Sequence, residues 1–150
     1  MAKFDMKNNT AIAIAINATL SGTTPSKGNI VDTIGYEAVT FAFVTGTVTD
    51  AGDAAGFSTE IQECDSTADA SFTAVADADL VGLESALAVT SDSADSVASG
   101  LIGYIGKKRY VRAVVTGTTG TNAVISGVAI LQRPAFAPVA DNTAANIAAT

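Results

Sequence analysis

The chain has no histidine, no tryptophan, one cysteine, three prolines and few charges for its 150 residues. Each shortage removes a class of function. Without histidine there is no Ser-His-Asp or Cys-His constellation and no zinc site built on imidazole. A single cysteine, Cys64, can neither close an internal disulfide nor complete a CxxC pair. It lies between Glu63 and Asp65, whose negative charges oppose thiolate formation, so it reads as a structural residue at a strand end. A glycosidase needs two carboxylates at a set separation and an aromatic sugar platform; tryptophan is missing and aromatics total 6%. There is no apolar run of the roughly 18 residues that a membrane helix needs. The opening MAKFDMKNNT carries Asp5 where a secretion signal would place its apolar segment. Synthesis in a cytoplasm without export by that route is therefore expected.

Charged residues make up 15% of the chain, against about 25% in an average soluble protein. Small and β-branched residues take their place. The net charge of −7 argues against nucleic-acid binding, which needs a cationic field to displace counterions. A polar surface made of hydroxyls and backbone suits extended contact with another protein, because little charge must be desolvated. At this length one domain buries roughly 70% of the surface of its unfolded chain and needs no metal or disulfide.

The dominant pattern is period two. Ala11–Ile16 alternates small and large, placing Ile12, Ile14 and Ile16 on one face and three alanines on the other. Two readings stand open: an arm that pairs with a neighbouring subunit, and an ordinary first strand of the core. Glu37–Val44 predicts a strand with Val39, Phe41 and Phe43 in the core. In Phe57–Glu63, Phe57, Thr59 and Ile61 face one way and Ser58, Glu60 and Gln62 the other. Leu101–Ile105 reads as a strand entering a turn at Gly106. Tyr110–Val115 reads as a strand with Val111, Ala113 and Val115 on one face. Thr116–Asn122 predicts a hairpin turn, Ala123–Leu131 the last core strand, and residues 84–100 a surface connection with a short strand near Ala86–Val89. Thr45–Gly56 reads as a connection. Seven to nine short strands with turn signals about every ten residues predict an all-β, antiparallel sandwich or barrel. Its parts are an N-terminal arm or first strand and loop over 1–29, a core over 30–133 and an extended C-terminal tail over 134–150.

Three local features invite a chemical reading. Asp77 with Asp79, and Asp92 with Asp95, offer clustered oxygens for calcium, but lack the ordered loop spacing of a calcium motif and read as solvated acids. Gly100, Gly103 and Gly106 are not followed by the Lys-Ser/Thr of a phosphate loop, and turn or close-packing roles fit them better. Lys107, Lys108, Arg109 and Arg112 are half of all the basic residues. They can guard a strand edge, meet an acidic partner or the chain's own acidic loops, or form a weak nucleic-acid footprint.

The runs DTIGYEAVTFAFVTG (Asp32–Gly46), FSTEIQECDSTADASFTAVADADLVG (Phe57–Gly82) and IGYIGKKRYVRAVVTGTTGTNAVISGVAILQRPAFAPV (Ile102–Val139) resemble small phage and prophage virion proteins, the tailed-bacteriophage capsid decoration, or cement, proteins. The likeness covers about two-thirds of the chain, with the same order of a GYE strand, an IQE strand, an FTAVADADL segment, a GYIGKKRYVR strand and a closing strand ending in RP. It implies a jelly-roll-like sandwich on the outside of an assembled head. There it would bind the major capsid protein after shell expansion and stabilise the lattice against internal DNA pressure. It implies a homo-oligomer, a trimer being favoured and a dimer possible, with no enzyme activity, cofactor, direct nucleic acid or membrane. No residue set is carried over from the family. The contact residues expected from this sequence are Phe4, Ile12, Ile14 and Ile16 in the N-terminal segment, Lys107, Lys108, Arg109, Tyr110 and Arg112 in the basic turn, and Pro134, Phe136, Pro138 and Ile147 in the tail. Two alternatives are another virion part (tail, baseplate or adaptor) and a carbohydrate- or receptor-binding sandwich using Tyr36, Tyr104, Tyr110 or the phenylalanines.

Overall fold

A computed structural model describes residues 5–49, 56–89, 98–118 and 121–139. Ten strands follow in chain order: β1 (Thr10–Ser21), β2 (Ser26–Lys27), β3 (Val31–Asp32), β4 (Tyr36–Thr49), β5 (Phe57–Cys64), β6 (Thr73–Ala74), β7 (Leu80–Val81), β8 (Ala98–Tyr104), β9 (Tyr110–Gly117) and β10 (Asn122–Pro134). The helical content of the described residues is four short 3-10 turns. The strands form two antiparallel sheets. Sheet I has the order β1-β10-β4-β8-β7, and sheet II the order β2-β9-β5-β6 with β3 also on β9. The two pack face to face as an all-β sandwich, as the period-two pattern predicts.

The core lies between the sheets. Sheet I contributes Val39, Phe41, Phe43, Ile102, Ile125 and Leu131, and sheet II contributes Ile61, Val111 and Val115, all essentially without solvent contact. The rings of Phe41 and Phe43 lie parallel with centroids 6.2 Å apart. Gly127 pairs with Phe43 across the strands. A Cβ at that position would stand 2.6 Å from the Phe43 ring, so only glycine leaves room for it.

β1 divides its side chains in an unusual sense. Ala11, Ala13 and Ala15 face the core, while Ile12 and Ile14 face out. The inner face here has room only for methyl groups. The segment between β2 and β3, both on β9, runs along this edge and bonds to both sheets, Gly28 N–H donating to Ala113 O at 2.8 Å and Asn29 N–H to Ala15 O at 2.7 Å. A Cβ on Gly28 would lie 2.2 Å from Ala15 O. The register with β10 then slips between Ile14 and Ile16. This bulge inverts the alternation, so Ile16 and Leu20 point inward. The Ala11–Ile16 segment is thus the edge strand of its own domain.

Several connections depart from expectation. β4 continues to Thr49, beyond the predicted end at Val44, because β10 pairs with it as far as Asn122↔Thr49. Thr116–Asn122 is not a hairpin turn: β9 belongs to sheet II and β10 to sheet I, so the segment arches between the layers. Buried Thr121 anchors the arch, its hydroxyl donating to Gly56 O at 2.7 Å. Within 84–100, Glu84–Leu87 is a 3-10 turn, Val89 makes one bridge to Phe57, and Leu87 is a core residue; residues 90–97 lie outside the described ones.

The inverted polarity of β1 is testable by urea unfolding. Ala13→Leu is expected to lower stability by about 1–3 kcal/mol through overpacking. Ile12→Ser, on the outer face, is expected to cost less than about 1 kcal/mol. The reverse ranking would show that the isoleucines face inward.

Candidate interaction surfaces

The basic turn is largely neutralised from within. Lys108 Nζ meets Asp65 at 2.5 Å, and Arg109 grips Asp32 through Nε at 3.0 Å and Nη2 at 2.7 Å. Arg112 is only 4% exposed. It points out of sheet II but lies under residues 69–72, with Asp69 at 2.5 Å, Gln62 Oε1 at 2.9 and 2.8 Å, and the Phe72 ring 4.1 Å from its guanidinium carbon. Arg112 is therefore a structural pin, and its expected contact role is withdrawn because its charge and donors are already used. Tyr110 is half-buried with Arg109 stacked on its ring at 4.9 Å. Lys107 is exposed. Of the readings offered for this cluster, the chain's own acidic loops occupy Lys108, Arg109 and Arg112.

Tyr104 organises the same turn. Its hydroxyl donates to Glu63 Oε2 at 2.6 Å and accepts from Lys108 N–H at 2.9 Å. Burial, joined by the Glu63 bond, pushes the phenol well above its usual range, so it stays a donor. Gly106 is required beside it, since a Cβ there would fall 2.5 Å from the ring. Tyr104 is buried and so offers no sugar platform.

Carboxylates shift in two directions. Burial works against the charge of Asp32, yet the Arg109 side-chain bonds and the Ile34 N–H hold its carboxyl below the ordinary range. Hydrogen bonds from Lys108 and Lys27 do the same for the exposed Asp65 and Asp69. Glu84 goes the other way: burial, then Glu60 and Asp77, push it up, although it accepts from Ile61 N–H at 2.5 Å.

Two surfaces remain. The first is the chain-end pole, where residues 5–9 and 135–139, near the two ends of the described chain, meet. Val139 N–H donates to Asn8 O at 2.8 Å and Ala135 N–H to Gly35 O at 2.8 Å. These bonds gather three exposed apolar side chains, Met6, Ile34 and Phe136, the last 90% exposed. Pro138 is exposed here too, whereas Pro134 is half-buried and still paired with Tyr36 as the last residue of β10. Phe4 and Ile147 lie outside the described residues.

The second surface is the outer face of sheet I. Ile14, Val128, Ala42 and Leu101 are aligned across four strands, and Ile12, Ile130, Thr40, Gly103 and Val81 across all five. Asn17, Ser126 and Val44 form a third row, with Ser126 Oγ bonded to Asn17 Oδ1 at 3.1 Å. No charged side chain occurs in these rows. Ile12 and Ile14 belong to this face, while Ile16, expected beside them, is 3% exposed because of the bulge. Sequence reasoning missed Val44, Val81, Leu101 and Val128. A signal existed: residues 10–26, 38–49, 98–106 and 113–132 contain no charge at all, so their solvent faces lack the usual ionic half of the alternation.

The carboxylate shifts predict a defined pH response. A depressed folded pKa, as at Asp32, contributes stability that is present above the unfolded value and lost as pH falls through the folded one. The melting temperature is expected to drop below about pH 4, and Asp32→Asn to flatten that drop. Glu84 has the opposite sign, since its ionised form costs stability at neutral pH. At pH 7, Glu84→Gln should leave the unfolding midpoint unchanged or raised. Glu84→Ala should cost about 1–3 kcal/mol by stranding the Ile61 N–H.

Set against protein-family models the chain matches none, and a search of curated proteins returns no match either.

Proposed function

We propose that this chain is a structural virion protein that binds the outside of a phage capsid and stabilises it by bridging adjacent capsomers. The observation that carries this reading is the chain-end pole. Met6, Ile34 and Phe136 are exposed there together, beside the points from which both termini continue. An exposed aromatic side chain among other exposed apolar ones is suited to anchor a partner. Repeated around a lattice of identical subunits, such an anchor multiplies weak contacts.

The strand order supports the same reading. Counting β2 with β3, which lie in line on β9, and setting aside the two-residue β7 at the sheet edge gives eight principal strands, in the orders 1-8-3-6 and 2-7-4-5. This interleaving supports reading the sandwich as jelly-roll-like, an architecture used by capsid and lectin domains. The resemblance of the GYE, IQE and GYIGKKRYVR segments to decoration proteins supplies the virion context.

Cryo-electron microscopy of purified particles tests the proposal. Density for this chain on the outer shell, at hundreds of copies, is the expected result; a dozen or fewer copies at the neck or tail would replace it with the adaptor reading. Phe136→Asp should weaken shell binding by about tenfold or more. Its circular dichroism should stay that of the parent, since the side chain touches water.

A further inference from the structure

We infer that the outer face of sheet I is an interface between two copies of this chain, formed by sheet-on-sheet packing about a two-fold axis. This surface is separate from the chain-end pole, so the inference goes beyond shell binding and does not require it.

Charge selects the partner. Each copy carries a net charge of −7, and two such bodies repel unless they meet where neither presents charge. The cross-strand rows of sheet I form such a face, with Thr40, Asn17 and Ser126 as their polar members. Sheet II cannot serve in the same way, because its outer side holds Glu60 and Arg112 and is overlain by residues 69–72.

Relief selects the geometry. On the β1-β10-β4 half lies a groove of about 420 Å³ whose floor is Ala42, Gly127 and Ser126 and whose walls are Ile14, Val44 and Val128. On the β8-β7 half Leu101 stands 68% exposed, with Val81 and Ile105 exposed nearby. One face thus carries both a ridge and a groove. A two-fold rotation sets the Leu101 ridge of each copy into the groove of the other, the reciprocal contact that an isologous interface demands.

Area is sufficient. The lengths over which the five strands pair, at inter-strand spacings of about 4.8 Å, give roughly 500 Å² per copy. Pairing would then bury about 1,000 Å², the size that a specific interface has to reach.

Sedimentation equilibrium of the full chain from micromolar to hundreds of micromolar concentration tests this. The expected result is a monomer–dimer equilibrium. Leu101→Lys alone and Val44→Glu alone should each weaken it by about 100-fold, because each places an unpaired charge in a desolvated contact. Mixing the two variants should restore dimers, since one ridge–groove contact is then native and the other pairs the new lysine with the new glutamate. Both substitutions are at exposed positions, and a circular dichroism spectrum like the parent's shows that each variant folds. A monomer at every concentration would overturn the proposal, as would an oligomer indifferent to both substitutions or a mixture that fails to reassociate. Shell binding by Leu101→Lys is read separately: its retention alongside lost self-association keeps the two surfaces distinct.

Discussion

The structure depends on how closely the two sheets approach along β1. The segment at Gly28 and Asn29 bonds to a carbonyl in each layer and leaves no space for a side chain at Gly28. Beside it Ala15 turns inward, as Ala11 and Ala13 do along the same strand, and Ile12 and Ile14 face out. In most amphipathic strands the larger side chain marks the core. Here sheet spacing overrides hydrophobicity, and apolar groups that cannot be accommodated inside become surface. The bulge after Ile14 ends this regime, and larger residues return to the interior at Ile16 and Leu20.

Much of the fold was legible because period two is a strong signal. The inward sets Val39-Phe41-Phe43, Phe57-Thr59-Ile61 and Val111-Ala113-Val115 follow from spacing alone. What spacing cannot carry is the identity of the partner strand. TGTTGTN has the composition of a hairpin turn, yet it bridges the two layers, since turn residues look alike whether the chain folds back or crosses over. The bulge in β1 was equally hidden: nothing in AIAIAIN marks the residue at which the ladder slips. The interaction surfaces were half legible. Phe136 and Ile14 stand where a reading of apolar segments puts them, but Leu101 and Val44 gain their meaning only when four strands align them. Arg112 failed as a surface residue because residues 69–72, distant in sequence, fold over it.

The scarce cations are used for construction. Lys27, Lys108, Arg109 and Arg112 each engage an aspartate on another segment, tying loops to sheet II and lowering the carboxylate affinities for protons. Most such pairs are exposed and individually weak. Their collective result is that most paired charges sit on sheet II, while sheet I carries its one such pair, Arg133 with Glu37, at the end of its strands and leaves the middle of its outer face uncharged among the described residues. That segregation distinguishes a face able to meet another protein from one that stays in water.

The bond between Val139 and Asn8 has a practical corollary for engineering. A peptide inserted within residues 5–9 or 135–139 would crowd one neighbourhood, that of Met6 and Phe136. The opposite pole, where Ser21 pairs with Asn122 and Thr121 clasps Gly56, is the place for foreign peptides. Cargo grafted there would point away from that apolar cluster.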